Sequence, residues 1–546
     1  MTDWRYSPPG PGYWERDNSH FPFPMSRHLW ELFRPAYDQG TRQGLARYGC
    51  VLRGFDFALV KGRLYLKTLS VENADQLASR VKSAEVALAT KLWRRDCDAW
   101  PEFRDEFRRR LLEFARHDPS AMALPELHER VVALRKCFIE GTIRHFIQQP
   151  ASMFPVGDWV RQTCKWTGSS ALEVLGVLQG SRPHTADYVQ AIDRLVRILE
   201  CQAKATAIVR DKTVDPGKQI EQLRCVSREV ADGLDAYLEE YADRIVTGFD
   251  ISDATLREFP QFTIALIASR LDSSSASQSQ SSERTELPAR LRELAPMEKR
   301  SEFDAGLAEA KAAYGLHDED VRLTYFWPLG LMRRTILAAA QRLTARGLLR
   351  HIEDAFQTTP QELDALMTGH SAPSAEELSA RAEEWRSWAN DEPPPSFGEK
   401  EPLPPDDVLG PACARVSSGI LFYLAEMEGS PAPGLRPSWS KLVEGFAASP
   451  GQYEGRARII RGPGDFDRLT HGDVLVARTT SPAYNVVLPT IGAVVTDRGG
   501  ALCHAAIVAR EFGIPAVVGT NRATTQIPDG AQVLVDGDRG FVVVRA

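Results

Sequence analysis

Apolar and small residues recur at steps of three and four through "LGLMRRTILAAAQRLTARGLLR", at Leu329, Met332, Ile336, Ala340, Leu343 and Gly347, which is the one-face pattern of an amphipathic helix. Segments such as Thr185 to Lys204 and Gln219 to Ile245 share that period, so residues 1–389 read as a large, mainly helical domain. One stretch breaks the pattern: in "CVLRGFDFALVKGRLYLKT" short apolar runs flank "KGR", predicting a hairpin, a small β element near residues 50–68. After about Ser438 the period changes again. The runs "RARII", "DVLVA", "AVVTD", "PAVVG", "QVLVDG" and "GFVVV" are separated by glycine, proline and aspartate turns, with one helical stretch after His504. Residues 438–546 therefore read as a compact mixed α/β domain, of a size common for a domain.

Two segments fall outside both patterns. Residues 273–286, which include "SSSASQSQSSERTE", are polar and low in complexity and read as a flexible loop. Residues 390–407, "NDEPPPSFGEKEPLPPDD", are proline-rich and acidic and read as a linker, with 408–437 a helical connection to the last domain.

Composition changes this picture little. Of the 546 residues, 43% are hydrophobic and 25% charged, as in ordinary globular chains, and no apolar run approaches the length of a membrane span. The first residues show neither a basic n-region nor an apolar h-region, so a cytoplasmic location is expected. Eight dispersed cysteines without a CxxC pair argue for reduced thiols rather than a zinc ribbon or a disulfide framework. A net charge of -7 gives no electrostatic reason to expect nucleic acid, and the basic run "LWRRDCDAWPEFRDEFRRR" alternates with acids like a solvated helix face.

The chemistry concentrates in "VVTDRGGALCHAAIVAREFGIPAVVGT". A histidine that carries a phosphoryl group needs an exposed ring nitrogen, close backbone donors and no bulk in the line of attack. Here a strand runs into Gly499 and Gly500, a helix begins at His504, and Thr496 and Arg498 add a hydroxyl and a guanidinium before the glycines. By residues alone, His504 is either a satisfied histidine at a strand-to-helix turn or the reacting group, and Arg498 is a phosphate ligand or a surface charge. No second histidine or carboxylate stands at ligand spacing on this helix, so no metal is assigned. Cys503 is either a nucleophile beside the imidazole or a small residue standing in for serine.

From "GFAASPGQYEGRARII" through "GDVLVARTTSPAYN", the stretch around His504 and "DGAQVLVDGDRGFVVV", this region resembles the mobile phosphohistidine domain of the phosphoenolpyruvate-utilising enzymes, the family of phosphoenolpyruvate synthase and pyruvate phosphate dikinase. The resemblance implies a swivelling β/β/α domain in which His504 is the phosphocarrier, with Thr496, Arg498, Gly499 and Gly500 around the phosphate. Dikinases of this family resemble "GGxTSH"; Leu502 and Cys503 occupy the "TS" positions here, which removes the threonine that can serve as a regulatory site.

"PGPGYWERDNSHFPFPMSR" and "LMRRTILAAAQRLTARGLLRHIEDAFQTTPQEL" resemble the helical acceptor-binding domain of rifampin phosphotransferases, also present in the histidine-bearing subunit of phenylphosphate synthase. That resemblance implies an aromatic hydroxyl acceptor and a transfer arginine at Arg322, although Leu323 and Phe326 stand where the family has an acid and a lysine. Arg333 and Arg334 follow on the same helix as candidates to neutralise the phosphoryl group, or as snorkelling surface arginines. His20 is a candidate base for the acceptor hydroxyl and Arg27 a second lining residue. The chain shows neither a P-loop nor the alternation of a (β/α) barrel. ATP and magnesium (Mg2+) are therefore expected on a separate ATP-grasp-like subunit that loads His504. Two other readings stay open: the carrier fragment of a split phosphoenolpyruvate synthase, and a non-catalytic small-molecule-binding protein.

Overall fold

Where the helical period gives way to short apolar runs, strands form, and they gather into two sheets. The computed structural model describes residues 6–17, 20–178, 185–273, 283–391, 393–400, 402–428, 442–480, 484 and 487–545. Most of the polar stretch 273–286 and residues 429–437 of the connection 408–437 lie outside the described residues. A large N-terminal helical region is followed by a C-terminal mixed domain of the β/β/α swivel type.

The chain divides into two compact units, the first made of Met1–Ala151, Glu239–Thr255 and Asp318–Ser417. Its four-stranded sheet has the order β2-β3-β1-β4, with β1 at Trp14–Arg16, β2 at Leu52–Val60, β3 at Arg63–Ser70 and β4 at Ser396–Phe397. The expected hairpin is β2 and β3, antiparallel and closing at Val60 opposite Arg63. Part of the proline-rich stretch is bound to this sheet: β4 pairs with β1, Arg16 donates to the Pro393 carbonyl at 2.8 Å, and the Tyr65 hydroxyl donates to that of Pro394. These prolines lack the N–H a ladder needs, but their carbonyls still accept from side chains.

Helix Trp327–Ala345 matches the first periodic segment, yet it is buried on nearly every side until its last turn. Immediately before it, Arg322–Phe326 forms a turn of π-helix, a geometry frequent at functional sites. Two other segments divide. Thr185–Glu200 stops before a new helix, Ala203–Arg210, and the stretch from Gln219 to Ile245 contains parts of Pro216–Arg224 and Arg228–Tyr241, after which Ile245 bridges Thr255. Amphipathic periodicity persists across such breaks because both pieces bury the same kind of face.

The second unit comprises Ser152–Leu238, Leu256–His317 and Ser418–Ala546. In its helical part, Gly157 meets Gly419 so closely that a Cβ at Gly157 would stand 2.0 Å from the Gly419 carbonyl oxygen, which reserves this crossing for glycine. Its eight-stranded sheet has the order β5-β12-β11-β7-β8-β9-β10-β6. The strands are β5 at Leu442–Glu444, β6 at Phe446–Ser449, β7 at Gln452–Ile460, β8 at Val474–Ala477, β9 at Ala493–Thr496, β10 at Ala516–Val518, β11 at Gln532–Asp536 and β12 at Phe541–Val544. Strands β7, β8, β9 and β10 are parallel, and the remaining pairings are antiparallel. Valines and alanines of both halves form one core, including Val474, Val476, Val495, Val517, Val533 and Val535. Fully buried parallel strands of this kind read as continuous apolar runs, as "DVLVA" and "AVVTD" do.

Candidate functional site

The site is built at the carboxyl edge of the parallel strands, where β8 and β9 lie side by side with Ala477 opposite Thr496. Loops leaving that edge converge, which is the usual place for ligands on an open parallel sheet. The β9 loop turns sharply: Thr496 donates its hydroxyl to the Arg498 carbonyl at 2.7 Å, and Gly499 has φ +113°. A Cβ at Gly499 would stand 2.5 Å from Cys503 Sγ, so the turn can close only on glycine. Asp497, buried, accepts from the Thr520 hydroxyl at 3.2 Å and the Thr524 amide at 3.0 Å, fixing the neighbouring loop.

The turn delivers His504 to the start of helix His504–Phe512. Cys503 is the N-cap, its sulfur accepting from the Ala506 amide at 3.5 Å, and burial pushes its thiol pKa up. A thiol so placed caps a helix and is not an activated nucleophile. Arg510, one buried guanidinium further along, donates to the Ala448 carbonyl at 3.1 Å and to the Ala501 carbonyl at 2.5 Å, bracing the loop from behind.

Across from the histidine, on the loop after β8, the Thr480 hydroxyl lies 3.0 Å from His504 Nδ1. Thr480 is buried and is a functional neighbour with no motif to mark it, because 24 residues separate the two and only the β8–β9 pairing joins them. The helix start adds a partial positive charge favourable to an anion.

The other expected phosphate ligands have further roles in this conformation. The Thr496 hydroxyl holds the turn, the Gly500 amide donates to the Met427 carbonyl at 3.4 Å, and the Leu502 amide donates to the Glu426 carbonyl at 3.0 Å. Arg498 is exposed and reaches Asn521 Oδ1 at 3.3 Å. Burial raises the pKa of Glu426.

The acceptor candidates all lie in the first unit. Arg322 is half-buried at the start of the π-helical turn, while Leu323 and Phe326, at the positions of the family's acid and lysine, are packed into the core. Arg333 is buried, donating to the Ile251 carbonyl at 3.0 Å and lying over the Phe356 ring. Arg334 bridges Asp243 and Asp118, each at 3.1 Å. Neither arginine snorkels; both tie the helix to its surroundings. Arg27 is exposed at the first turn of helix Arg27–Tyr48. His20 faces Asp17, with Nδ1 3.0 Å and 3.1 Å from the two carboxylate oxygens, and its ring meets Phe249 edge-on.

Residues 469–540 match the family described as "PEP-utilising enzyme, mobile domain". The chain carries a phosphoenolpyruvate-utilising-enzyme mobile domain. Residues 145–318 match a second family, "Rifampicin phosphotransferase fourth domain". A probable phosphoenolpyruvate synthase of Methanothermobacter thermautotrophicus is 46% identical over 101 residues, 18% of this chain and 15% of the synthase. A rifampicin phosphotransferase of Streptomyces sviceus is 28% identical over 330 residues, 58% of this chain and 34% of its own length. Chondramide synthase of Chondromyces crocatus is 28% identical over 571 residues, 97% of this chain and 14% of the synthase. The chain thus spans about a third of that phosphotransferase and a seventh of that synthase. The mobile domain is of the phosphohistidine type and is related to those of rifampicin phosphotransferase and phosphoenolpyruvate synthase.

Among the described residues no group of three or more His, Cys, Asp or Glu side chains is placed to hold a metal ion, and no helix is long and apolar enough to cross a membrane.

Proposed function

We propose that this chain is the phosphohistidine-carrying component of a dikinase-type phosphotransferase. A separate ATP-grasp-like subunit, using ATP and Mg2+, loads His504, and the carrier passes the phosphoryl group to the hydroxyl of an aromatic, phenol-like acceptor bound by the helical region. The observation that carries this reading is the placement of His504: at a helix start, beyond a glycine turn, with Nδ1 3.0 Å from the Thr480 hydroxyl. In this reading Nδ1 donates to Thr480 Oγ1 and Nε2, enclosed in this conformation, is the nucleophile. The match of residues 145–318 to a rifampicin phosphotransferase domain supports an acceptor in the helical region. Alignment of nearly the whole chain with one segment of chondramide synthase supports the helical region and the mobile domain acting as one functional piece.

Intact-mass spectrometry at alkaline pH, after incubation with ATP, Mg2+ and extract from the source cells, tests the carrier role. Wild type is expected to gain one acid-labile phosphate and His504→Ala none. Equal gain in both would remove His504 from the mechanism, and no gain with any donor would favour a binding protein.

A further inference from the structure

Each parallel strand of the mobile domain runs into an arginine at the edge that carries His504. Arg461 directly follows β7 and Arg478 directly follows β8, while Arg498 lies two residues beyond β9 and Arg522 four beyond β10. Backbone pairing sets these positions side by side. Ile460 is opposite Ala477, the Arg498 amide donates to the Arg478 carbonyl at 2.9 Å, and the Asn521 amide donates to the Asp497 carbonyl at 2.8 Å. At the usual spacing of about 4.8 Å between strands the row extends roughly 14 Å. Thr480, two residues past Arg478, is the group that meets His504.

Counter-charges are scarce along this row. Arg461, Arg498 and Arg522 are exposed and Arg478 is half-buried. Arg498 reaches the neutral amide oxygen of Asn521, whereas Arg456, Arg458 and Arg468 of the same domain hold Asp473 or Asp529. The acids that come near are engaged. Asp497 takes the Thr520 hydroxyl and the Thr524 amide, and Asp465 takes the Arg461 amide at 2.9 Å and lies 3.5 Å from Arg468. Like charges on adjacent strands repel one another, and an anionic ligand relieves that repulsion. The chain as a whole carries a net charge of -7, so the row does not sample a generally basic surface.

We propose that Arg461, Arg478, Arg498 and Arg522 form a recognition edge for the polyphosphate chain of the phosphoryl donor that loads His504. This rests on the phosphotransferase reading above and adds which surface of this chain meets the donor. Guanidinium forks match phosphate oxygens in pairs, and a chain of several phosphates offers partners to several arginines at once, as a lone phosphate does not.

The test titrates the full chain with inorganic tripolyphosphate by calorimetry at low ionic strength, for wild type, Arg498→Gln, Arg522→Gln and the double variant. Arg539→Gln is the control: it removes the same charge from the exposed turn between β11 and β12, beside the Ala516 amide that opens β10 at the opposite edge. Each edge substitution is expected to weaken binding about fivefold, the upper range for an exposed ion pair, and the two together about 25-fold, with Arg539→Gln within about twofold of wild type. Tripolyphosphate should also slow the loading of His504 by phosphoramidate, a chemical donor that needs no partner, in wild type and not in the double variant. Equal binding by wild type and the double variant, or equal weakening in Arg539→Gln, would overturn the assignment. Binding of a polyaspartate peptide but not of tripolyphosphate would overturn it too, giving the edge to an acidic protein face. Either result with His504 still loaded by phosphoramidate leaves the carrier reading intact; failure of wild type to load at all would count against that reading instead.

Discussion

Replacing Thr480 by valine removes one oxygen and almost no volume, so it isolates the contact that orients the carrier. The Thr480 hydroxyl lies 3.0 Å from His504 Nδ1 and is buried, so water does not readily take its place. An Nδ1–H left facing a methyl group loses a net bond and its solvation, about 1–3 kcal/mol together. Only the form with the proton on Nδ1 offers the Nε2 lone pair, so the same free energy is withdrawn from the nucleophilic tautomer. At about 1.4 kcal/mol for each factor of ten, Thr480→Val should load His504 about 5- to 100-fold more slowly than wild type, and Thr480→Ser nearly normally. Loading by phosphoramidate, followed by intact mass at alkaline pH, gives the rate. Heteronuclear NMR of nitrogen-labelled histidine gives the tautomer. Loading within twofold of wild type, with the proton still on Nδ1, would refute the reasoning.

Two further outcomes concern the first unit. The Asp253 carboxyl is pushed up to about 7, by burial first and by the neighbouring Asp250 charge second. A carboxyl protonated in the fold but ionised near 3.8 when unfolded contributes stability that is present below about pH 4 and lost as pH rises to about 7. Asp253→Asn should therefore unfold at a higher urea concentration than wild type above neutrality, the difference shrinking in acid; parallel pH curves for the two proteins would contradict this. Arg334→Ala withdraws the guanidinium 3.1 Å from fully buried Asp243 and should destabilise the unit by about 3 kcal/mol, the cost of breaking a buried pair. Its urea transition is the readout, and a shift equivalent to less than about 1 kcal/mol would mean that the pair is a surface one in effect.

The mobile domain was legible because its local signals agree: short apolar runs, turn residues between them, and one helix beginning at the histidine. The helical region was legible as helix but not as pieces. Apolar residues return with the same period on both sides of Cys225–Ser227, where Pro216–Arg224 ends and Arg228–Tyr241 starts, so periodicity alone cannot find the break. Burial explains the arginines. Arg333 and Arg334 lie on a helix that reads as amphipathic but is enclosed, and a charge in an enclosed helix must find carbonyl and carboxylate partners, as these do at Ile251, Asp243 and Asp118. Thr480 and Arg510 act on His504 only through strand pairing and the return of a helix, neither of which any short motif spells out. The motifs that resemble rifampin phosphotransferases lie outside residues 145–318, where the family match falls. Helical packing constrains the kind of residue at each position more than its identity, so kinship there is spread thinly over many positions.

At His504 two helix ends of opposite sign meet. The start of helix His504–Phe512 presents partial positive charge, while the last carbonyls of helix Pro411–Glu428, at Glu426 and Met427, accept from the Leu502 and Gly500 amides of the same turn. A phosphoryl dianion on His504 is favoured by the first and opposed by the second, each by roughly 0.3–1 kcal/mol where partly exposed. Burial also raises the pKa of Glu426, so a full negative charge on its side chain beside the turn is disfavoured. Loading therefore weakens the hold of helix Pro411–Glu428 on the turn by at most a few-fold in equilibrium terms. It also frees, in the fraction that lets go, the two amides that a phosphate at His504 would use. Phosphorylation by itself biases the turn between two sets of partners rather than switching it, and the larger free energy for a complete exchange has to come from binding of donor or acceptor.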